Sequence, residues 1–143
     1  MKSRPAQASD CAAIELLLVA AGLPVDGARE HVHNFIVLEN SSGLVGAVGL
    51  ELYGKDALLR SLVVAQNERG KGFGKVLYRA AIEKARQHRI DNIYLLTETA
   101  EAFFAKRGFA RIERASASRA VQQSVEFRSA CPASAACMKL RLI

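Results

Sequence analysis

One stretch constrains what this chain can fold into more than any other. The apolar run Leu62-Val63-Val64 leads into Arg69-Gly70-Lys71-Gly72-Phe73-Gly74. From Phe73 to His88, Leu77, Ala81 and Ala85 then share one helical face while Lys75, Arg79 and Arg86 fall on others. A strand, a glycine turn and an amphipathic helix in that order leave several unpaired amide N–H groups converging where the helix starts. Glycines at 70, 72 and 74 present no Cβ to an approaching ligand, and the helix dipole attracts negative charge. The segment reads as a seat for a phosphate-bearing molecule, formed by Arg69, Gly70, Lys71, Gly72, Phe73, Gly74 and Lys75.

The charge distribution supports that reading. Twenty Lys and Arg against fourteen Asp and Glu give a formal charge of +6, which favours an anionic partner without choosing between nucleic acid and a phosphorylated small molecule. Arg69, Lys71, Lys75, Arg79, Lys84, Arg86 and Arg89 crowd around the one glycine turn and its helix. No aromatic platform accompanies them, so nucleic acid is not expected as a partner. Two other phosphate loops fit poorly. The GxxxxGK[ST] pattern is absent, and the dinucleotide fingerprint GxGxxG belongs at the first βαβ unit, whereas this turn comes late and follows hairpins.

At 143 residues, 50% of them hydrophobic, the chain is expected to form one domain over residues 1–143. No apolar run approaches the roughly 18 residues of a membrane span, and Met1-Lys2-Ser3-Arg4-Pro5 lacks a secretory apolar block, so a cytoplasmic protein without membrane partners is expected. Cys11, Cys131 and Cys137 show no CxxC spacing, so neither a disulfide framework nor a metal site is implied.

Residues 3–5 read as a strand, and Ser9 or Asp10 caps a helix with Ile14, Leu17, Leu18 and Ala21 on its apolar face. A second short helix is expected over 26–33, then strands at 35–38, 44–52 and 58–65 with turns at 40–43 and 53–56. After the helix at 73–88 come a strand at 93–96, a helix at 98–106 closed by Gly108, and a strand at 109–113. A helical stretch at 118–124 and a closing strand at 136–142 complete the chain.

Arg69-x-x-Gly72-x-Gly74 after Leu62-Val63-Val64 resembles the acyl-CoA signature of the GNAT superfamily of N-acetyltransferases. The run Thr97-Glu98-Thr99-Ala100-Glu101-Ala102-Phe103-Phe104-Ala105-Lys106-Arg107-Gly108-Phe109 resembles its second motif. Tyr53-Gly54, Leu58 to Val64 and the tail Cys131 to Met138 are similar to the branch found with arsenic-resistance operons. The resemblance implies an α/β (α+β) fold, with a mixed, mostly antiparallel sheet of about six to seven strands flanked by about four helices. It implies acetyl-CoA as co-substrate, a small-molecule amine as acceptor, and a homodimer through the carboxy-terminal strands; a protein N-acetyltransferase and a non-catalytic acyl-CoA-binding sensor, the latter favoured by Phe104, are the alternatives.

It also implies where chemistry sits. Acetyl-CoA would lie in a splay between the strands at 58–65 and 91–96, its pantetheine against Leu62, Val63 and Val64, with Thr97, Phe103 and Phe104 beside it. A strand N–H near Val63 would stabilise the oxyanion. A tyrosine often protonates the departing thiolate in this superfamily, but that position is Phe104, which leaves a packing role there and Tyr94 or solvent as proton source. Glu51 is the candidate base. On the acceptor side Glu51, Tyr53, Arg60 and Ser61 are candidates, Arg60 either gripping an acidic group of the substrate or forming a salt bridge with Glu51. His31 and His33 read as surface residues.

Overall fold

The computed structural model describes residues 2–142. Seven strands form one sheet in the order β1-β2-β3-β4-β5-β7-β6: β1 Lys2–Pro5, β2 Phe35–Asn40, β3 Gly43–Tyr53, β4 Asp56–Val64, β5 Asn92–Thr97, β6 Ala110–Ile112 and β7 Ala136–Arg141. Each neighbouring pair runs antiparallel except β4 and β5. The helices are α1 Cys11–Ala20, α2 Phe73–Gln87, α3 Glu101–Ala105 and α4 Arg119–Gln122, with 3₁₀ turns and one π-helical turn, Glu126–Ala130, between them. The described residues form the expected mixed, mostly antiparallel sheet, with four α-helices where about four were expected.

Alternation along the strands distributes the apolar residues to both faces of the sheet. Under α2, Leu77, Ala81 and Ala85 pack on Leu50, Ala57, Leu59, Ile93 and Leu95. On the other face Ile14 and Leu18 of α1 cover Phe35, Val37, Ala47 and Val63, while Val121 and Phe127 cover Leu58 and Tyr94. Gly49 in mid-β3 has a packing reason: a Cβ there would run into the ring of Phe35.

Three local expectations differ from the structure. The helix expected over 26–33 is a series of turns ending in a 3₁₀ turn, Val32–Asn34, because Gly27 has φ +81°, which is incompatible with continuing a right-handed helix. The helix expected from 98 begins only at Glu101, since Thr97 Oγ1 accepts the Ala100 N–H at 3.0 Å and holds the preceding residues in a turn. The stretch 118–124 narrows to α4, capped by Ser118 Oγ on the Val121 N–H.

Candidate functional site: a splayed cleft beside the glycine turn

β4 and β5 pair only at Asp56–Asn92, Ala57–Ile93 and Leu58–Tyr94. Past that rung the strands part. The cause lies in β4: against β3, Arg60 opposes Gly49 and Val63 opposes Ala47, so β4 holds one extra residue between them. Ser61 absorbs the extra residue with φ +60°, a left-handed value that few non-glycine residues adopt. The bulge bends β4 away from β5 and opens a cleft of about 290 Å³, lined by Ser61, Leu62, Val63, Val64, Thr97 and Phe104 among others. It continues into a second recess, lined by Arg69, Gly70, Gly72, Phe73, Gly74 and Phe103.

Strand alternation refines which amides face this cleft. The Ala65 N–H bonds to Val45 O, and Val63 O lies close to Gly46, so Val63 and Ala65 direct their polar groups toward β3. Val64 O points the other way, where Arg69 Nε donates to it at 3.0 Å. The amide expected of Val63 is therefore turned into the sheet, and the cleft is served instead by its neighbours Leu62 and Val64.

The glycine turn lies at the start of α2. Gly72 caps α2 with φ +86° and Gly70 has φ +83°. A Cβ at Gly70, Gly72 or Gly74 would meet no protein atom within 4 Å, so the space beside each is open to a ligand. Lys71 pairs with Glu68 at 3.0 Å. Lys75 turns to an adjoining basic recess with Tyr78, Arg79, Lys106 and Arg107. Phe104 is buried, 5.1 Å from Phe103 and 5.5 Å from Phe109 in edge-to-face contacts, and Arg107 lies over the Phe103 ring at 3.6 Å. Phe104 is thus a packing residue on the cleft wall. Tyr94 is buried with Leu58 in the core under α4 and does not line the cleft.

At the inner end lies a buried polar cluster. Arg60 Nη1 donates to Glu51 Oε2 at 2.8 Å and to Asp26 O at 2.6 Å, Nη2 donates to Pro24 O at 3.2 Å, and Nε donates to Ser61 Oγ at 3.0 Å. Its side chain has no exposed surface. The salt-bridge alternative for Arg60 is the one the structure forms, and the guanidinium offers no open face to a substrate. Tyr53 Oη donates to Glu51 Oε1, and His31 Nε2 lies 3.5 Å from the same oxygen, so His31 is a partner of Glu51 as well as a partly exposed residue. Gly27 belongs to the cluster too: a Cβ there would sit 3.1 Å from Arg60 Nη1.

Glu126, which nothing in the local sequence singles out, completes the cluster, with Oε2 3.4 Å from Arg60 Nε and 3% of the residue exposed. Burial pushes its carboxyl up to about 7; the Glu51 charge adds to this and Arg60 opposes it. Burial likewise raises the Tyr53 phenol, with Glu51 adding, and pushes the Cys131 thiol up to about 12. Cys11, Cys131 and Cys137 are all free thiols.

Residues 6–109 match the profile of the Acetyltransferase (GNAT) family. The chain belongs to that family. An uncharacterised N-acetyltransferase of Chlorobaculum tepidum is 29% identical over 91 residues, which span 63% of this chain and 58% of that relative, under two thirds of its length. Among solved structures, N-acetylglutamate synthase from Neisseria gonorrhoeae, complexed with coenzyme A and N-acetyl-glutamate, superposes at a TM-score of 0.84 with 21% identity. That match covers 99% of this chain and 35% of the synthase. Rv2747 from Mycobacterium tuberculosis, solved with CoA, gives 0.83 and 23% over the full length of both chains. These likenesses establish the GNAT fold. Among the described residues no helix is long and apolar enough to cross a membrane.

Proposed function

We propose that the chain transfers the acetyl group of acetyl-CoA to the primary amine of a small molecule. The observation that carries this reading is the cleft opened by the Ser61 bulge, which runs from the buried cluster to the open glycine turn. A pyrophosphate seated on the amides after Gly70 leaves the pantetheine along Leu62 and Val64 and the thioester near Ser61 and Leu62. The Leu62 N–H then supports the oxyanion, a donor whose loss commonly costs about two to four kcal/mol of barrier.

The amine attacks the thioester carbonyl in its neutral form, and its proton passes to water in the cleft. CoA leaves as a thiolate with a pKa near that of cysteine, roughly 8.5, so no dedicated acid is required at Phe104. Glu51 is buried and held by Tyr53 and Arg60. In this reading the amine enters the inner end beside Ser61, against the wall that the paired Arg60 and Glu51 form. The likeness to a synthase crystallised with N-acetyl-glutamate supports an amino acid or amino-acid analogue as acceptor. The branch resemblance adds a cytoplasmic detoxification setting, of arsenic compounds or toxic amines, and the superfamily resemblance adds a homodimer.

The test is an acetyl-CoA turnover screen across amines, amino acids and their analogues, reading CoA thiol release and product mass together. One acetylated small amine formed in step with free CoA is the expected result. Acetylation of peptides alone would move the acceptor to proteins. CoA binding without turnover on any acceptor would leave a non-catalytic acyl-CoA sensor.

A further inference from the structure

The Arg60 guanidinium carries a single Nε–H, and two acceptors stand before it: Ser61 Oγ at 3.0 Å and Glu126 Oε2 at 3.4 Å. Ser61 is the residue that holds the bulge at φ +60°, a conformation that persists only where its surroundings hold it. The bulge in turn directs Leu62 at the inner end of the cleft. Glu126 sits sixty-six positions from Arg60, on the π-helical turn Glu126–Ala130, a rare local geometry that recurs at functional sites.

We propose that Glu126 is a positioning residue for the acetyl group. By gaining or losing a proton it decides whether the Arg60 Nε–H pins Ser61 or is drawn to the carboxylate, and so whether the Leu62 N–H is aimed at the acetyl carbonyl. This rests on the acetyl-CoA reading above.

The competition follows from bond strengths. A neutral carboxyl and a serine hydroxyl are comparable acceptors, and the shorter distance gives the Nε–H to Ser61. An ionised carboxylate accepts roughly twice as strongly, so deprotonation tips the bond toward Glu126. The surroundings keep that proton exchangeable near neutrality. Glu51 on β3 and Asp26 in the loop after α1 add negative charge that favours the protonated form, while the Cys131 thiol, itself raised by burial, bonds to the carboxyl and favours the ionised one. Arg60 is the cation set against them, and Glu51 already holds its Nη1. Two carboxylates on one buried guanidinium leave one of them short of a counter-charge.

The ratio of acetyl-CoA to CoA affinity, measured calorimetrically, reads the grip on the acetyl carbonyl alone, because contacts to the rest of the cofactor cancel. In the wild type this ratio falls several-fold between pH 6 and pH 8, as Glu126 ionises and releases Ser61. Glu126→Gln, uncharged at every pH, holds a constant ratio over that range while its CoA affinity stays that of the wild type. Ser61→Ala gives the low ratio at both pH values. A wild-type ratio that does not change with pH, or a Glu126→Gln variant that keeps the wild-type slope, overturns the proposal. Failure of the wild type to bind either compound overturns the acetyl-CoA reading itself, and the proposal with it.

Discussion

Glu126 and Phe104 show how single side chains acquire roles that their types do not announce. Taking the Glu126 carboxylate out of water costs more than Arg60 returns, since that guanidinium already pairs with Glu51 at the shorter distance. Its folded pKa of about 7 lies above the 4.5 of the exposed group. Between those values the native state holds more protons than the unfolded chain, so stability falls as pH rises through the window. Melting temperatures measured from pH 4.5 to pH 8 are expected to decline in the wild type and to decline less in Glu126→Gln. An equal decline in both would place the titration elsewhere. Phe104 packs between Phe103, Tyr78 and Phe109. Phe104→Leu is accordingly expected to lose about 1–2 kcal/mol of stability, within the range for reshaped buried side chains, and to keep turnover within about tenfold. A loss of several orders of magnitude with CoA binding intact would show a chemical role for this position. The sequence contains the pairing of Glu51 with Arg60, because both fall on strands joined by a short turn. It gives no sign of Glu126, because the contact joins β4 to a segment whose own pattern is weak.

Among the elements, the strands and α2 were legible because their apolar periods are long and their turns are marked by Asn40 to Gly43 and Tyr53 to Asp56. The irregular pieces were not. The turns over 26–31 meet Arg60 through Asp26 O and the close approach of Gly27, and Glu126 of the π-helical turn reaches it from far along the chain, contacts without a local signal. The bulge at Ser61 was equally hidden, and with it the one-residue shift that turns Val63 into the sheet and Leu62 and Val64 toward the cleft. Within β3, Gly49→Ala is expected to destabilise the fold by about 1–3 kcal/mol, since the added methyl group overlaps the Phe35 ring and displaces it. Denaturant unfolding would show this as a lowered midpoint with an unchanged slope. An unshifted midpoint would mean that Phe35 has room to move.

For the molecule as a whole, helices cover both faces of the sheet and the two halves of the sheet meet along only three parallel rungs. That short seam lets a buried polar cluster and the glycine turn lie at opposite ends of one cleft. The glycine turn is where this arrangement can be tested with the least disturbance. Gly72 and Gly70 have positive φ, so a side chain there strains the backbone as well as filling the site. Gly74 lies within α2 without a positive φ, and its Cβ would enter open space. Valine is at least as good a helix former as glycine. Calorimetric titration of CoA into the wild type and into Gly74→Val therefore isolates the proposed pyrophosphate seat. A pyrophosphate seat at this turn requires clear binding by the wild type and at least a hundredfold loss in a variant that melts no lower than the wild type. Equal CoA affinity in the two proteins would contradict it.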